Sequence, residues 1–145
     1  MGGIESSRAA GRGKAEGFLD SNVLLYLLSA DAAKADRAEA LLRSRPVISV
    51  QVLNEVTHVC VRKLGMRWDE VDEFLTLVKS LCRIAPLTVD MHDLARRLAA
   101  RYGLAFYDAC IVACASLEGC ETLYSEAMHH GLAVEGGPVL ANPFL

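Results

Sequence analysis

No stretch of the 145-residue chain reaches the roughly 18 uninterrupted apolar residues that a membrane-spanning helix requires. Positions 1–16 carry Arg8, Arg12 and Lys14 but lack the apolar centre of a secretory signal. Both absences point to a cytoplasmic protein with no membrane partner. An excess of basic charge is also missing: 15 Lys and Arg face 18 Asp and Glu, a formal charge of -3. That balance argues against coating nucleic acid through bulk electrostatics, yet it leaves room for a local basic rim around an acidic pocket. Proline is scarce, with 4 residues, and Cys60, Cys82, Cys110, Cys114 and Cys120 form an odd set in a chain without a secretory signal, which suits a reducing compartment.

What is present is apolar material in quantity. At 52% hydrophobic and 23% charged, the chain excludes wholesale disorder and reads as one globular domain. Its length suffices to bury about 70% of the surface exposed on unfolding, without a disulfide or metal staple. Residues 1–16, rich in Gly, Ser, Ala and Arg and without periodicity, are expected to be a flexible leader or tag remnant, with the domain occupying 17–145.

From Gly17 onward, short apolar runs alternate with helical periodicity. Strands are expected at Gly17 to Leu19, Pro46 to Ser49, Arg83 to Leu87, Thr122 to Tyr124 and Val139 to Ala141. Helices are expected over Asn22 to Ser29, Ala33 to Arg43, Val50 to Lys63, Trp68 to Ser80, Val89 to Tyr102 and Tyr107 to Glu118. Ser49, Asp69 and Thr88 stand where N-caps belong, and Gly65, Gly103 and Gly119 where left-handed caps are wanted. Such alternation predicts an α/β fold with a parallel sheet, whose ligand crevice lies beyond the carboxyl ends of the strands.

Three acids fall where that crevice would be. Asp20 ends the first strand; as a residue type it is equally an N-cap for the following helix. Glu55 sits at the edge of the arc formed by Val52, Leu53, Val56, Val59 and Cys60, beside a polar stripe of Gln51, His58 and Arg62 that also reads as a solvated face. Asp108 heads the most apolar helix, directly after Phe106-Tyr107, where an acid also gains from the helix dipole. Three carboxylates sharing one crevice would repel, and a hard divalent cation with oxygen ligands relieves that repulsion.

The order Leu19-Asp20-Ser21-Asn22, Asn54-Glu55, Phe106-Tyr107-Asp108-Ala109 and Leu123-Tyr124-Ser125-Glu126, closed by Asn142-Pro143-Phe144, resembles the PIN-domain ribonucleases, especially VapC toxins of bacterial toxin–antitoxin pairs. The resemblance runs from Gly17 to Leu145. It implies a three-layer α/β/α sandwich with a central, mostly parallel sheet. It also implies an Mg2+ or Mn2+ site built on Asp20, Glu55 and Asp108, with Asn22 supporting the first acid, and cleavage of single-stranded RNA to 5'-phosphate and 3'-hydroxyl ends. A cognate antitoxin and a homodimer are implied as partners. The family usually carries a further Asp two residues after the Ser or Thr that follows the fourth strand; here that position is Ala127. The gap is compatible with a disarmed nuclease, a weakened natural one, or a shifted loop recruiting Ser125 or Glu126. Neighbouring residues point in different directions, so Glu126 is no automatic replacement.

Other features carry bland readings. Cys110 and Cys114 have zinc-compatible helical spacing without a second half-site, and read as core. Trp68, Val71, Phe74, Leu75 and Val78 read as a packing stripe, with an apolar groove beside them suited to an antitoxin segment. Arg62, Lys63 and Arg67, with Arg96, Arg97 and Arg101, suit RNA phosphates, an acidic partner or plain solvation. His129-His130 reads as an exposed turn. A non-catalytic PIN-fold protein that binds antitoxin or RNA is the competing function. A dinucleotide enzyme lacks its GxGxxG turn, and a phosphoacceptor domain lacks an acid in Arg83-Ile84-Ala85-Pro86-Leu87.

Overall fold

The computed structural model describes residues 17–145, so the expectation for residues 1–16 lies outside the described residues. Five three-residue strands, β1 (Gly17–Leu19), β2 (Val47–Ser49), β3 (Arg83–Ala85), β4 (Thr122–Tyr124) and β5 (Val139–Ala141), form one sheet in the order β3-β2-β1-β4-β5. Every strand pair is parallel; Phe18 lies opposite Val47 on one side and Leu123 on the other. The strand centres Phe18, Ile48, Leu123 and Leu140 are almost wholly buried, as a sheet covered on both faces requires. Helices α1 (Ser21–Leu25), α2 (Ala32–Leu42), α3 (Val50–Arg62), α4 (Trp68–Leu81), α5 (Val89–Tyr102) and α6 (Phe106–Leu117) complete a three-layer α/β/α sandwich.

Local chemistry fixes the helix starts. Ser49 and Thr88 cap α3 and α5 by accepting the N–H groups of Val52 (3.2 Å) and Met91 (3.0 Å). Asp69 does not cap α4. The helix starts at Trp68, as expected, with Arg67 at the N-cap; Glu70 accepts the N–H of Arg67 at 2.9 Å while Asp69 pairs with the Arg67 side chain. The expected helix from Asn22 to Ser29 is also corrected: α1 begins at Ser21, and Tyr26–Leu28 tighten into a 3-10 turn. Trp68, expected in the packing stripe, is 64% exposed, because it is the first residue of α4; Val71, Phe74 and Val78 are buried as the stripe predicts.

Helix α6 is the centre of the fold. Seven consecutive residues, Ala109 to Ala115, are buried, which explains an apolar composition without a polar face. It packs along α5, and Gly103 at φ 68° ends α5 so that the two axes bend by 117°. All five cysteines are free and buried, consistent with small core residues. Among the described residues no single helix is long and apolar enough to cross a membrane.

Candidate active site

Sheet order reverses between β1 and β4, and the chain leaves these two neighbours at Asp20 and Ser125. A ligand crevice at the carboxyl ends of parallel strands is expected at that reversal. Asp20 is 4% exposed and is held on both oxygens. Its Oδ1 accepts the Ser21 N–H at 2.7 Å; its Oδ2 accepts from the Ser125 hydroxyl at 2.8 Å and the Asn22 amide at 3.1 Å. Asp20 therefore does cap α1, and the capping and functional readings turn out to be compatible, since its second oxygen faces the β4 end.

Ser125 is buried and organises the loop after β4. Its oxygen accepts the N–H groups of Ala127 (3.1 Å) and Met128 (3.2 Å) while its proton goes to Asp20. Asn22 spans the same gap, donating to Asp20 and accepting the Glu126 N–H at 3.0 Å. The side chain of Glu126 turns elsewhere: it accepts from Lys34 Nζ at 2.7 Å and from the Tyr26 hydroxyl. The Lys34 bond holds the Glu126 carboxyl below its usual range. Glu126 thus meets Asn22 through its backbone, while its carboxylate is paired with Lys34.

Glu55 projects from α3 toward the same crevice and is half-buried. Its two oxygens accept from the Ser21 hydroxyl at 2.9 Å and the Gln51 amide at 3.2 Å. Ser21 links the first two acids, because its hydroxyl is also 3.4 Å from Asp20 Oδ1. Neither Ser21 nor Gln51 was singled out as a site residue from sequence, although Gln51 lies one helical turn before Glu55. Asp108, in the first turn of α6, is half-buried and its carboxylate has no hydrogen-bond partner among the described residues.

The three acids share an electrostatic environment. Burial raises all three pKa values; the charge of Asp20 adds to the rise at Asp108, and the charges of Asp20 and Asp108 add to the rise at Glu55. At Asp20, the bonds from Ser125, Ser21 and Asn22 oppose that rise. None of the three pairs with Lys or Arg among the described residues. Arg67, Arg96 and Arg101 are engaged by Asp69, Asp93 and Glu135 instead.

Among the described residues, no three His, Cys, Asp or Glu side chains stand close enough to chelate an ion directly. The donor chemistry nevertheless fits a hard divalent cation: oxygen donors only, mutually repelling, and one carboxylate lacking any protein donor. Mg2+ retains several waters and uses only one or two carboxylates, which matches a loosely gathered set.

Raised carboxyl pKa values also fix a sign for stability. A carboxyl that binds its proton more tightly when folded contributes most below its unfolded pKa and loses that contribution as pH rises through the folded one. In EDTA, wild type should therefore lose stability relative to Asp20→Asn as pH rises above the ordinary carboxylate range near 4. Urea melts across pH 4 to 8 check this, and a parallel dependence in the two proteins would contradict it.

Fold and site together define an open parallel α/β protein with an acidic crevice at its switch point. The chain belongs to the PIN domain family, whose model matches residues 17–130. No curated protein matches the sequence. Among solved structures, a chain of a toxin–antitoxin complex from Klebsiella pneumoniae is 23% identical, with a TM-score of 0.68 over 88% of this chain and 98% of that one. The sarcin–ricin loop cleaving toxin VapC20 of Mycobacterium tuberculosis is 22% identical, with a TM-score of 0.61 over 74% and 87%. A DNA-bound VapBC complex from Salmonella typhimurium matches at 18% identity, with a TM-score of 0.63 over 88% and 98%. At these identities the likeness establishes the fold.

Proposed function

We propose that this chain is a divalent-metal-dependent endoribonuclease toxin of the VapC kind, acting in the cytoplasm on single-stranded RNA and restrained by a cognate antitoxin. The reading is supported by one observation: at the sheet reversal of a PIN domain stand Asp20, Glu55 and Asp108, whose pKa values are raised by burial and, at Glu55 and Asp108, by the charge of Asp20, and which have no Lys or Arg partner among the described residues. The similarity to toxin–antitoxin structures supports it.

Asp20, Glu55 and Asp108 are the residues that would hold Mg2+ or Mn2+. A bound cation supplies Lewis acidity, which favours hydroxide formation from water and offsets charge on a phosphodiester. Around it, Ser125 and Asn22 orient Asp20, and Ser21 fixes Asp20 and Glu55 relative to each other. Asp108, with no hydrogen-bond partner among the described residues, would be free to accept from water or to give an oxygen lone pair to the cation. Water attack at phosphorus with breakage of the bond to the 3'-oxygen, which takes a proton from solvent, would give a 5'-phosphate and a 3'-hydroxyl without a covalent enzyme intermediate.

A groove of about 730 Å³ beside α4, lined by Leu28, Met66, Phe74 and Leu77 and rimmed by Glu70 and Glu73, suits the amphipathic segment of an antitoxin. A homodimer belongs to the same reading. Ala127 favours a second one, in which the fold binds antitoxin or RNA without cutting. Incubating purified protein with structured and unstructured RNA in Mn2+, Mg2+ or EDTA separates them. Cleavage that is metal-dependent and leaves 5'-phosphate ends is expected; binding without cleavage in either metal selects the second reading.

A further inference from the structure

Beside the acids lies an aromatic surface that the metal chemistry does not use. Tyr107, directly before Asp108, is 65% exposed, and Phe106 is 39% exposed. Tyr107 lines an open cleft of about 660 Å³ together with Ser21, Gln51, Asn54, Glu55 and His58. Its ring has an aromatic neighbour. Phe106 stands 5.8 Å from it at 59°, and Phe106 is braced edge-on by His92 of α5 at 5.6 Å. No hydrogen bond engages the Tyr107 hydroxyl among the described residues.

We infer that Tyr107, buttressed by Phe106 and His92, is a stacking ledge for an unpaired nucleobase next to the acidic crevice. The inference rests on the nuclease reading and adds a specificity-determining residue to it. The crevice presents carboxylates, and the chain as a whole is acidic at -3, so charge alone is a poor source of RNA affinity before cation binding. Stacking supplies affinity that does not depend on charge and tolerates any base. A duplex hides its base faces; only a single strand or loop offers them, so the ledge selects unpaired RNA. Asn54 and His58 are exposed and line the same cleft, so polar groups are available there to a base edge.

The test measures binding apart from cutting. In the wild-type parent with Ca2+ in place of Mg2+, so that all three acids stay intact, anisotropy of a short fluorescein-labelled single-stranded oligoribonucleotide reads affinity, and a gel of the same samples verifies that the strand is uncut. Tyr107→Ala should weaken binding about tenfold, while Tyr107→Trp, which preserves a stacking face, stays at the parent value. An abasic scan adds the decisive arm. One position should cost the parent about tenfold and the Tyr107→Ala protein nothing, because the base and ring would be partners. Tyr107→Ala binding at the parent affinity, additive abasic losses, or no binding by the parent would each overturn the ledge. Wild type that cuts RNA while Tyr107→Ala binds normally removes the ledge and keeps the nuclease. Base-dependent binding by a protein whose wild type never cuts does the reverse.

Discussion

If the chain is the proposed nuclease, Asp20→Asn is expected to lower metal-dependent RNA cleavage by about a thousandfold or more, against the roughly 10–100-fold expected when only an orienting partner such as Ser125 is lost in Ser125→Ala. The difference follows from what each group touches. Asp20 is the buried acid at the strand end, while Ser125 acts on it through one 2.8 Å bond. A thousandfold corresponds to about 4 kcal/mol of transition-state stabilisation. The variant should still fold. Replacing a carboxylate oxygen by an amide nitrogen sets it against a donor, either the Asn22 amide or the Ser21 N–H, and that conflict costs about 1–3 kcal/mol. Relief from burying a charge offsets part of it. Steady-state cleavage of one defined RNA, with melting curves on the same preparations, reads both effects. Loss of activity of similar size in Ser125→Ala and Asp20→Asn would show that the two act as one unit rather than as ligand and support.

The strand-end rule made Asp20 visible from sequence because a parallel sheet delivers its ligands to the carboxyl ends of its strands, and the short apolar run Gly17-Phe18-Leu19 marks that end. Asp108 was visible for a different reason: it is the acid leading a helix whose next seven residues are buried. What sequence did not show were contacts decided by rotamer and chain path. The Ser21 hydroxyl reaches Glu55 across 34 positions, and Lys34 reaches Glu126 across 92. Neither pair has a periodic signature. Trp68 misled because helical spacing gives a face but not the point at which that face begins to be covered. The split of the first helix into α1 and a 3-10 turn was hidden by continuous apolar residues from Val23 to Leu28.

Ala127→Asp should raise Mg2+-dependent cleavage by about tenfold or more at limiting Mg2+, and lower the Mg2+ concentration needed for half-maximal rate. Ala127 is exposed in the turn after β4, and its N–H bonds to the same Ser125 oxygen that donates to Asp20, so a carboxylate there enters the acidic neighbourhood without displacing core. Glu126 does not fill that role, being tied to Lys34 and Tyr26. A fourth acid beside three repelling ones carries its own signature. In EDTA the variant should melt below wild type, and Mg2+ should stabilise it by more than it stabilises wild type, because cation binding relieves the added repulsion. Gain of activity together with that crossed pair of melting shifts identifies residue 127 as a metal-side position. Unchanged cleavage with unchanged metal response would place residue 127 outside the metal site and leave Asp20, Glu55 and Asp108 as its proposed acidic complement. An equally stabilising effect of Mg2+ on both proteins, even with altered rates, would assign the new carboxylate to substrate contact instead.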